Sequence, residues 1–212
     1  MQEYVDIFDE SYNKIGVETK ETAHEKGLWH QTFHCWLFRR EKDHIYLQFQ
    51  RRSANKKDSP LMYDISAAGH LQAGECKEDG VREIAEELGV EVDAASLIYL
   101  GIRASEYRYK EIHNKEFSHV FMMETPYKIE DYTIQEDELD TLIEMELEDG
   151  FKLFSREVNS IECNGMSVQR GEKSFHKIKV SYEDFLPRID AYYMRVLIMM
   201  ERYVEGKRYL AI

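Results

Sequence analysis

The feature that most limits how this chain can fold is an acidic stretch between Ser66 and Val90, SAAGHLQAGECKEDGVREIAEELGV. Thirteen consecutive positions contain five glutamates: Glu75, Glu78, Glu83, Glu86 and Glu87. Apolar residues recur among them at the spacing of one buried helix face, namely Val81, Ile84, Ala85 and Leu88. The pattern predicts a helix over residues 77–88 that ends at Gly89 and presents Glu83, Glu86 and Glu87 on its other side.

The aligned carboxylates need a physical reason, because like charges four residues apart repel. For Glu83 and Glu87 the cost is roughly a few tenths of a kcal/mol. Arg82 reaches Glu86 at i+4 and flanks Glu83, so it can orient one carboxylate without neutralising the cluster. A hard divalent cation turns the repulsion into coordination, and Mg²⁺ prefers a few carboxylates, waters and a substrate phosphate. A solvated acidic face is the alternative, and residue types alone leave both open.

The order of the residues separates these alternatives, because the stretch from Gly69 to Val90 resembles the Nudix box. That pattern is G-x5-E-x7-R-E-U-x-E-E-x-G-U, where U is a bulky aliphatic residue. Every fixed position is matched: Gly69, Glu75, Arg82, Glu83, Ile84, Glu86, Glu87, Gly89 and Val90. The spacer CKEDGV has six residues instead of seven, so the loop must close one residue tighter, and Gly80 is placed to help.

The resemblance implies an α/β fold, a Nudix-type α/β/α sandwich with a mixed β-sheet. It also implies a loop and helix that bind Mg²⁺ or Mn²⁺ at a diphosphate, which is then hydrolysed. Carried over by position, the expected metal site comprises Glu83, Glu86, Glu87, Gly69 and Glu75. Arg82 is expected to orient Glu83, and Glu75 to support the loop or share the metal.

A second resemblance lies in the flank RRSANKKDSPLMYDISAAGH, residues 51–70. It is similar to type I isopentenyl-diphosphate isomerases, in which a basic segment leads to a Cys-Gly-His at the active site. This similarity implies a substrate-binding set of Arg51, Arg52, Lys56 and His70. Since neighbouring side chains of a strand point to opposite faces, at most one of the two arginines is expected to enter the site.

The isomerases carry an acid/base glutamate, which aligns with Glu116 in EFSHVF, and a cysteine, which aligns with Ala68. The expected catalytic set is therefore Glu83, Glu86, Arg82 and Glu116. Alanine cannot transfer a proton, and Cys35 and Cys76 stand elsewhere in the pattern. The chain is thus interpreted as an isomerase-like Nudix hydrolase and not as an isomerase.

A second metal is left open by the same resemblance, since the isomerases bind one through three histidines and two glutamates. His70 and Glu116 match directly. His24 and His30 match with an interval one residue shorter, and Asn114 stands at the other glutamate position.

Composition bounds the partners and the compartment. A net charge of −13 over 212 residues argues against nucleic acid and anionic membranes as partners. Three widely spaced cysteines suit a reducing interior, and MQEYVDIFDE shows no secretion signal, so we expect a cytoplasmic protein. We predict one domain over 1–212, with an N-terminal β-hairpin extension at about 1–28 and a C-terminal helical extension at about 155–212.

Several further elements are predicted from local patterns. Strands are expected at 30–40 and 44–52, and two long strands are expected on either side of a loop at His113–Lys115. A strand is predicted at MELEDGFKLFS and a short helix at REVNSI. Residues 184–206 are predicted to form a long amphipathic helix, whose apolar stripe serves the core or, as the alternative, a homodimer interface.

The sequence therefore predicts metal-dependent hydrolysis of a diphosphate bond in a small nucleoside-diphosphate-type metabolite. A glutamate, from this helix or from outside it, is expected to take the proton. Outside the helix, Glu116 competes with Glu136, Asp137 and Glu138 of the acidic loop IQEDELD. One alternative is an isopentenyl-diphosphate isomerase-like enzyme or an isoprenoid-diphosphate phosphatase. Another is a Nudix-fold sensor that binds its ligand without cleaving it.

Overall fold

A computed structural model of the protein describes residues 2–109 and 112–212. The first part of the chain contains β1 (Tyr4–Phe8), β2 (Lys14–Thr19), α1 (Lys20–Lys26), β3 (Trp29–Glu41), β4 (His44–Arg52), β5 (Tyr63–Asp64), β6 (Ala67–His70) and α2 (Arg82–Leu88). The remainder contains β7 (Ile98–Tyr109), β8 (Ile112–Glu124), β9 (Leu139–Glu146), α3 (Leu147–Phe154), β10 (Ser160–Gln169), β11 (Glu172–Ser181) and α4 (Tyr192–Val204).

The strands join into a mixed sheet in which β3 is the common partner. Its longest pairing is parallel to β8, and it pairs antiparallel with β1, β4 and β6. A path of hydrogen-bonded neighbours runs β11-β10-β9-β4-β3-β1-β2, while β7 pairs with β8 and β5 with β4. The predicted mixed sheet is confirmed.

Alternating side chains of β3 supply two hydrophobic cores on opposite faces of the sheet. Trp36 and Phe38 pack into a core that also contains residues of α3 and α4. Phe33 and Leu37 pack into the other core, which includes Ile84 and Leu88 of α2. Helices therefore cover both faces, which confirms the predicted α/β/α sandwich.

The acidic helix is shorter than its apolar pattern predicted. A 3-10 turn at Asp79–Val81 precedes α2, and the helix ends at Gly89 as expected. The turn is the tighter loop that the shortened spacer required. A β-carbon at Gly80 would lie 2.5 Å from the side chain of Phe33, so only glycine lets the turn lie against β3.

Some sequence-based elements were wrong, and each error has a local cause. The predicted strand at MELEDGFKLFS is divided between β9 and α3, because its apolar residues recur with helical spacing: Leu147, Gly150, Leu153 and Phe154 are buried. The predicted loop at His113–Lys115 lies within β8. The predicted helix at REVNSI is absent from the structure. The C-terminal extension at about 155–212, predicted to be helical, contains the hairpin of β10 and β11 before α4.

The C-terminal helix begins only at Tyr192, eight residues after the predicted start at 184. Its buried side chains confirm that the apolar stripe serves the core: Tyr192, Tyr193, Val196, Leu197 and Met200. The ring of Tyr193 stacks on that of Phe154 of α3 at 4.8 Å. The homodimer and the division into one domain with two extensions stay predictions. Within residues 2–109 and 112–212, no helix combines the length and apolarity needed to cross a membrane.

The packing of α4 gives a test of the single-domain prediction. Leu197 is fully buried in the core shared with the sheet. We expect Leu197→Ala to lower the free energy of unfolding by about 2–5 kcal/mol in one cooperative transition. Ile198→Ala, at a neighbouring position that is 39% exposed, should cost about 1 kcal/mol or less. Denaturant unfolding followed by tryptophan fluorescence measures both, and a separate early transition for α4 would contradict a single domain.

Candidate active site

A cleft of about 1110 Å³ opens on the face of the sheet formed by the first halves of β3 and β8. Its floor follows from strand register, since directly paired residues share a face. Thr32 pairs with His70 and His34 with Ala68, while His30 pairs with Glu116. One wall is the acidic helix α2, and another is the segment 186–190 that leads to α4.

The loop–helix contact on which the family pattern rests is present. Gly69 lies on β6, and the carboxylate of Glu83 occupies the space that a β-carbon at residue 69 would need. Any other residue at position 69 would displace Glu83, so the glycine is needed for close approach. The structure therefore brings together two predicted members of the metal site.

Arg82 holds the acidic residues in place through several hydrogen bonds. Its Nε donates to Glu75 at 2.9 Å, and its Nη1 donates to Glu83 at 2.5 Å and to Glu86 at 3.3 Å. Its Nη2 donates to the backbone carbonyl of His70 at 2.8 Å. The sequence predicted contact with Glu83 and Glu86. In the structure Arg82 also connects α2 to the loop and to β6.

Glu87 is not part of a solvated acidic face, because the residue is only 7% exposed. Its Oε2 accepts hydrogen bonds from the backbone N–H of Ala68 at 3.1 Å and from the amide of Gln50 at 3.4 Å. Among the residues that the structure describes, no arginine, lysine or histidine forms a salt bridge with it. A buried carboxylate without a cationic partner is costly, and a bound cation removes that cost.

The two buried carboxylates have raised pKa values. Burial raises the pKa of Glu87 to about 8, and the charge of Glu83 acts in the same direction. Burial likewise raises the pKa of Glu83 to about 7, with Glu86 adding to the shift and Arg82 opposing it. Adjacent carboxylates that resist ionising together suit a hard divalent cation, which prefers oxygen ligands. Glu83, Glu86 and Glu87 thus fit the predicted ion.

Basic side chains approach the cleft from the segment after β4. Arg52 and Lys56 line it, Arg52 paired with Asp58 at 2.6 Å and Lys56 with Glu138. The prediction for Arg51 was wrong. Its side chain points to the other face of the strand, where Nε bonds to Asp140 at 2.8 Å, and it does not line the cleft. Strand alternation allows only one of the two arginines to enter.

Three histidines from different elements meet beside the acidic helix. One ring nitrogen each of His24, His30 and His70 lies within 4.8 Å of the others. Nδ1 of His30 donates to the carbonyl of Leu28 at 2.8 Å, which leaves the lone pair on Nε2, a buried atom without a partner in the described part of the chain. A metal-binding histidine is commonly fixed in this way.

The protonation of these rings also suits a metal. Burial lowers the pKa of His24 to about 4, with His30 acting in the same direction, and burial lowers the pKa of His70 well below its usual value. Burial also lowers the pKa of His30. All three rings are therefore neutral at pH 7 and able to coordinate. Sequence order alone could not show that residues 46 positions apart touch, as Nε2 of His24 and Nε2 of His70 do at 3.1 Å.

Glu116 lines the cleft as predicted, but it is not in the group of closely spaced ligand atoms found among the described residues. Its Oε1 accepts from the amide of Asn114 at 2.7 Å. Ala68 lies on the floor where the isomerase cysteine would stand. Cys35 cannot replace that thiol, because it is fully buried in the core on the opposite face and burial raises its pKa.

Two glutamates of the acidic loop after residue 133 have different contacts. Glu136 accepts the backbone N–H groups of Arg170 at 2.7 Å and Gly171 at 2.6 Å, so it binds the turn between β10 and β11. Glu138 lines the cleft and pairs with Lys56. Of the candidates in this loop, Glu138 is the one at the site.

Sequence reasoning missed the contribution of the C-terminal extension. Arg188 lines the cleft and bonds to both oxygens of the buried Asp64 at 2.8 and 3.0 Å. Arg103 of β7 is held in the same manner by Asp190, at 2.6 and 2.9 Å. These partners lie 87 or more residues apart in sequence, and no local pattern marks them. His34 also lines the cleft. Its one sequence signal is that it stands four residues after His30 and so shares a strand face with it.

Comparison with known proteins agrees with this geometry. The family model of the NUDIX domain matches residues 28–160. An uncharacterised Nudix hydrolase of Clostridium acetobutylicum is 36% identical over 92% of this chain and 96% of its own length. The chain belongs to the Nudix family. The prediction of a Nudix hydrolase, an enzyme of a generally metal-dependent family that acts on small molecules, is confirmed.

The isomerase resemblance is confirmed as well. An isopentenyl-diphosphate Delta-isomerase of Citrobacter koseri is 36% identical over 51% of this chain, and the match spans 56% of the isomerase's length. Among solved structures, the Deinococcus radiodurans protein DR0079 has a TM-score of 0.53 at 22% identity, over 73% of this chain and 88% of that one. This likeness shows the Nudix fold.

The raised pKa values of the Nudix carboxylates predict a pH-dependent stability. An unfolded chain ionises Glu83 and Glu87 near pH 4.5, whereas the folded chain does so near pH 7 and 8. Above about pH 6.5 the buried histidines are neutral in both states, so without divalent cations the free energy of unfolding should fall between about pH 6.5 and 8, by an amount on the order of 2 kcal/mol. Excess Mg²⁺ should reverse the fall.

Denaturant unfolding at a series of pH values measures this effect. Glu87→Gln should remove the larger part of the fall, because the amide carries no charge to bury and only the smaller contribution of Glu83 remains. Glu91→Gln, an exposed residue outside the cleft, is the matched control and should leave the profile unchanged. A profile of the unsubstituted protein that is flat, or that Mg²⁺ does not alter, would contradict the assignment.

Proposed function

We propose that this Nudix hydrolase cleaves the diphosphate bond of a small metabolite with the help of Mg²⁺ or Mn²⁺. The observation that carries the proposal is the arrangement of opposite charges across one cleft. Glu83, Glu86 and Glu87 lie on one wall, and Arg52 and Lys56 approach from another. An acidic cluster facing basic groups suits a polyphosphate with a cation between them.

The roles of the side chains follow from their contacts. Glu83, Glu86 and Glu87 hold the cation, with the loop at Gly69 and Glu75 supporting them. Arg82 fixes the carboxylate positions through its bonds to Glu75 and Glu83. Such support keeps the site organised before the ligand arrives.

The diphosphate is held from the basic side. Arg52 and Lys56 exchange part of their contacts with Asp58 and Glu138 for phosphate oxygens. A divalent cation supplies charge neutralisation and Lewis acidity at the diphosphate.

Proton transfer needs a carboxylate beside the diphosphate, and two of the candidates predicted outside the helix meet this condition. Glu116 on the floor and Glu138 at the loop both line the cleft. Among the described residues the one hydrogen bond found for Glu116 comes from the amide of Asn114, whereas Glu138 forms an ion pair with Lys56. Because no ion pair holds its carboxylate in that part of the chain, Glu116 is favoured as the group that accepts a proton from water.

The decisive experiment is release of phosphate or monophosphate from a panel of diphosphates. The panel comprises nucleoside diphosphates, nucleotide sugars, dinucleotides and isoprenyl diphosphates, each with Mg²⁺ and with Mn²⁺. We expect metal-dependent turnover of one class and a loss of at least about a hundredfold in kcat for Glu87→Gln. Glu91→Gln is again the matched control and should retain full activity.

The other outcomes are equally informative. Turnover that persists in Glu87→Gln, or that needs no metal, would contradict the proposed role of the acidic cluster. Absence of turnover across the panel, combined with a raised melting temperature for one class of compound, would indicate the sensor function that the sequence left as an alternative.

A second candidate function is favoured by the histidine cluster. The convergence of His24, His30 and His70 next to Glu116 is what the isomerase resemblance implied. It supports an enzyme that acts on isoprenoid diphosphates, as a phosphatase, with an isomerase-like floor that lacks the thiol at Ala68.

Ala68→Cys tests this candidate directly. Isopentenyl diphosphate should not be isomerised by the unsubstituted protein, because alanine cannot carry a proton. The substituted protein should convert it measurably to the allylic isomer, which is detected by ¹H NMR. Ala67→Cys, one residue earlier on β6 and buried in the other core, is the control. An isomerase-like floor would be contradicted if the two variants were equally active or if neither were active.

A further inference from the structure

His34 is a floor residue of the cleft to which neither the family pattern nor the proposed function gives a role. It lies on β3 directly opposite Ala68 of β6 and is 4% exposed. The backbone N–H of Ala68 bonds to Glu87. Because directly paired residues of an antiparallel ladder have neighbouring side chains, His34 lies beside the point where the acidic helix meets the floor. The small side chain at residue 68 leaves room above it.

Tyr192 fixes the orientation of the imidazole. Nδ1 of His34 lies 3.0 Å from the Tyr192 hydroxyl, which also accepts the indole N–H of Trp36 at 3.1 Å. Among the described residues, Nδ1 is the one acceptor found within reach of the Tyr192 hydroxyl proton, so the hydroxyl accepts from the indole and donates to Nδ1. The ring proton of a neutral His34 is then on Nε2. No hydrogen-bond partner for Nε2 is found in residues 2–109 and 112–212, and the residue lines the cleft.

The surroundings keep this imidazole neutral. Burial lowers the pKa of His34 well below its usual value, Arg188 and Arg103 act in the same direction, and Asp64 opposes them. The guanidinium of Arg103 lies 4.5 Å from the centre of the Tyr192 ring and that of Arg188 lies 5.8 Å from it. Both arginines are fixed by carboxylates, so the group that positions His34 is itself held rigidly.

We propose that His34 binds the substrate: its Nε2–H donates a hydrogen bond to a phosphoryl oxygen of the diphosphate held at Glu87. The inference rests on the proposed function, because it places a diphosphate beside the acidic helix. Tyr192 acts as a positioning residue that sets the tautomer. The C-terminal extension, which the Nudix box does not include, thereby takes part in binding.

Nitrogen-15 NMR of the histidine rings tests the proposal without requiring turnover. We expect His34, assigned by its absence from a His34→Gln spectrum, to carry its proton on Nε2. Mg²⁺ with methylenediphosphonate, an uncleavable diphosphate, should shift that Nε2–H signal. A proton on Nδ1, or an Nε2 signal unmoved by the addition, would overturn the proposal.

Kinetics on the substrate identified by the panel give the second measurement. His34→Leu should lower kcat/KM about ten- to a hundredfold through loss of one hydrogen bond in a buried site. His34→Gln, whose amide can donate from a similar position, should restore most of the loss. His176→Leu, at an exposed position on β11, is the control and should have no effect. Equal losses in the leucine and glutamine variants would indicate a structural role and overturn the proposal.

The two proposals fail in different ways. If Glu87→Gln abolishes turnover while His34→Leu leaves kcat/KM unchanged, the hydrolase stands and the inference about His34 is wrong. If no compound of the panel is cleaved, the hydrolase fails, and the NMR measurement still decides whether His34 contacts a diphosphate.

Discussion

The hydrogen bonds of Arg82 are the interaction on which the site depends. One guanidinium contacts the loop through Glu75, the helix through Glu83 and the strand β6 through the carbonyl of His70. These three elements have different directions, and only a planar group with several fixed donors can join them at one point. Glu75, Glu83 and Glu86 can lie close together because the Arg82 guanidinium holds them before any metal binds.

Strand β3 contributes side chains to both hydrophobic cores and to the floor of the cleft. Phe33 and Leu37 face the core under α2, while Trp36 on the opposite face packs beneath α4. His34 lies on the same face as Trp36 and lines the cleft. His30, four residues earlier, belongs to that face as well. A strand paired on both sides is rigid. The polar side chains that β3 contributes to the floor of the cleft are therefore held in fixed positions by the packed core.

The sequence was most informative where function depends on neighbours in the chain. Glu83, Glu86 and Arg82 lie on one helix, and their contacts followed from helical spacing. The burial of Glu87 did not, because it depends on Ala68 and Gln50 of two separate strands. Which side chain of a strand faces a cleft depends on its pairing, and a local pattern carries no register.

Tertiary contacts also explain the error at the start of α4. The apolar spacing of residues 184–206 favours a helix, yet residues 186–191 are not helical. Two ion pairs hold this segment, one between Arg188 and Asp64 and one between Arg103 and Asp190. Two part-buried ion pairs outweigh a weak local propensity. Neither pair could be predicted, because a charge pattern does not indicate which distant residue will be its partner.

The short connection before α4 has a thermodynamic consequence. Residues 186–190 form a wall of the cleft, and α4 begins two residues after them, at Tyr192. A ligand that contacts this wall binds only when the connection is folded, so ligand binding and local unfolding of the C-terminal region are linked equilibria. A bound ligand should therefore slow the hydrogen exchange of backbone amides in α4, including amides that the ligand does not contact. Because the linkage is reciprocal, a substitution that promotes local unfolding of α4 also weakens ligand binding in the cleft.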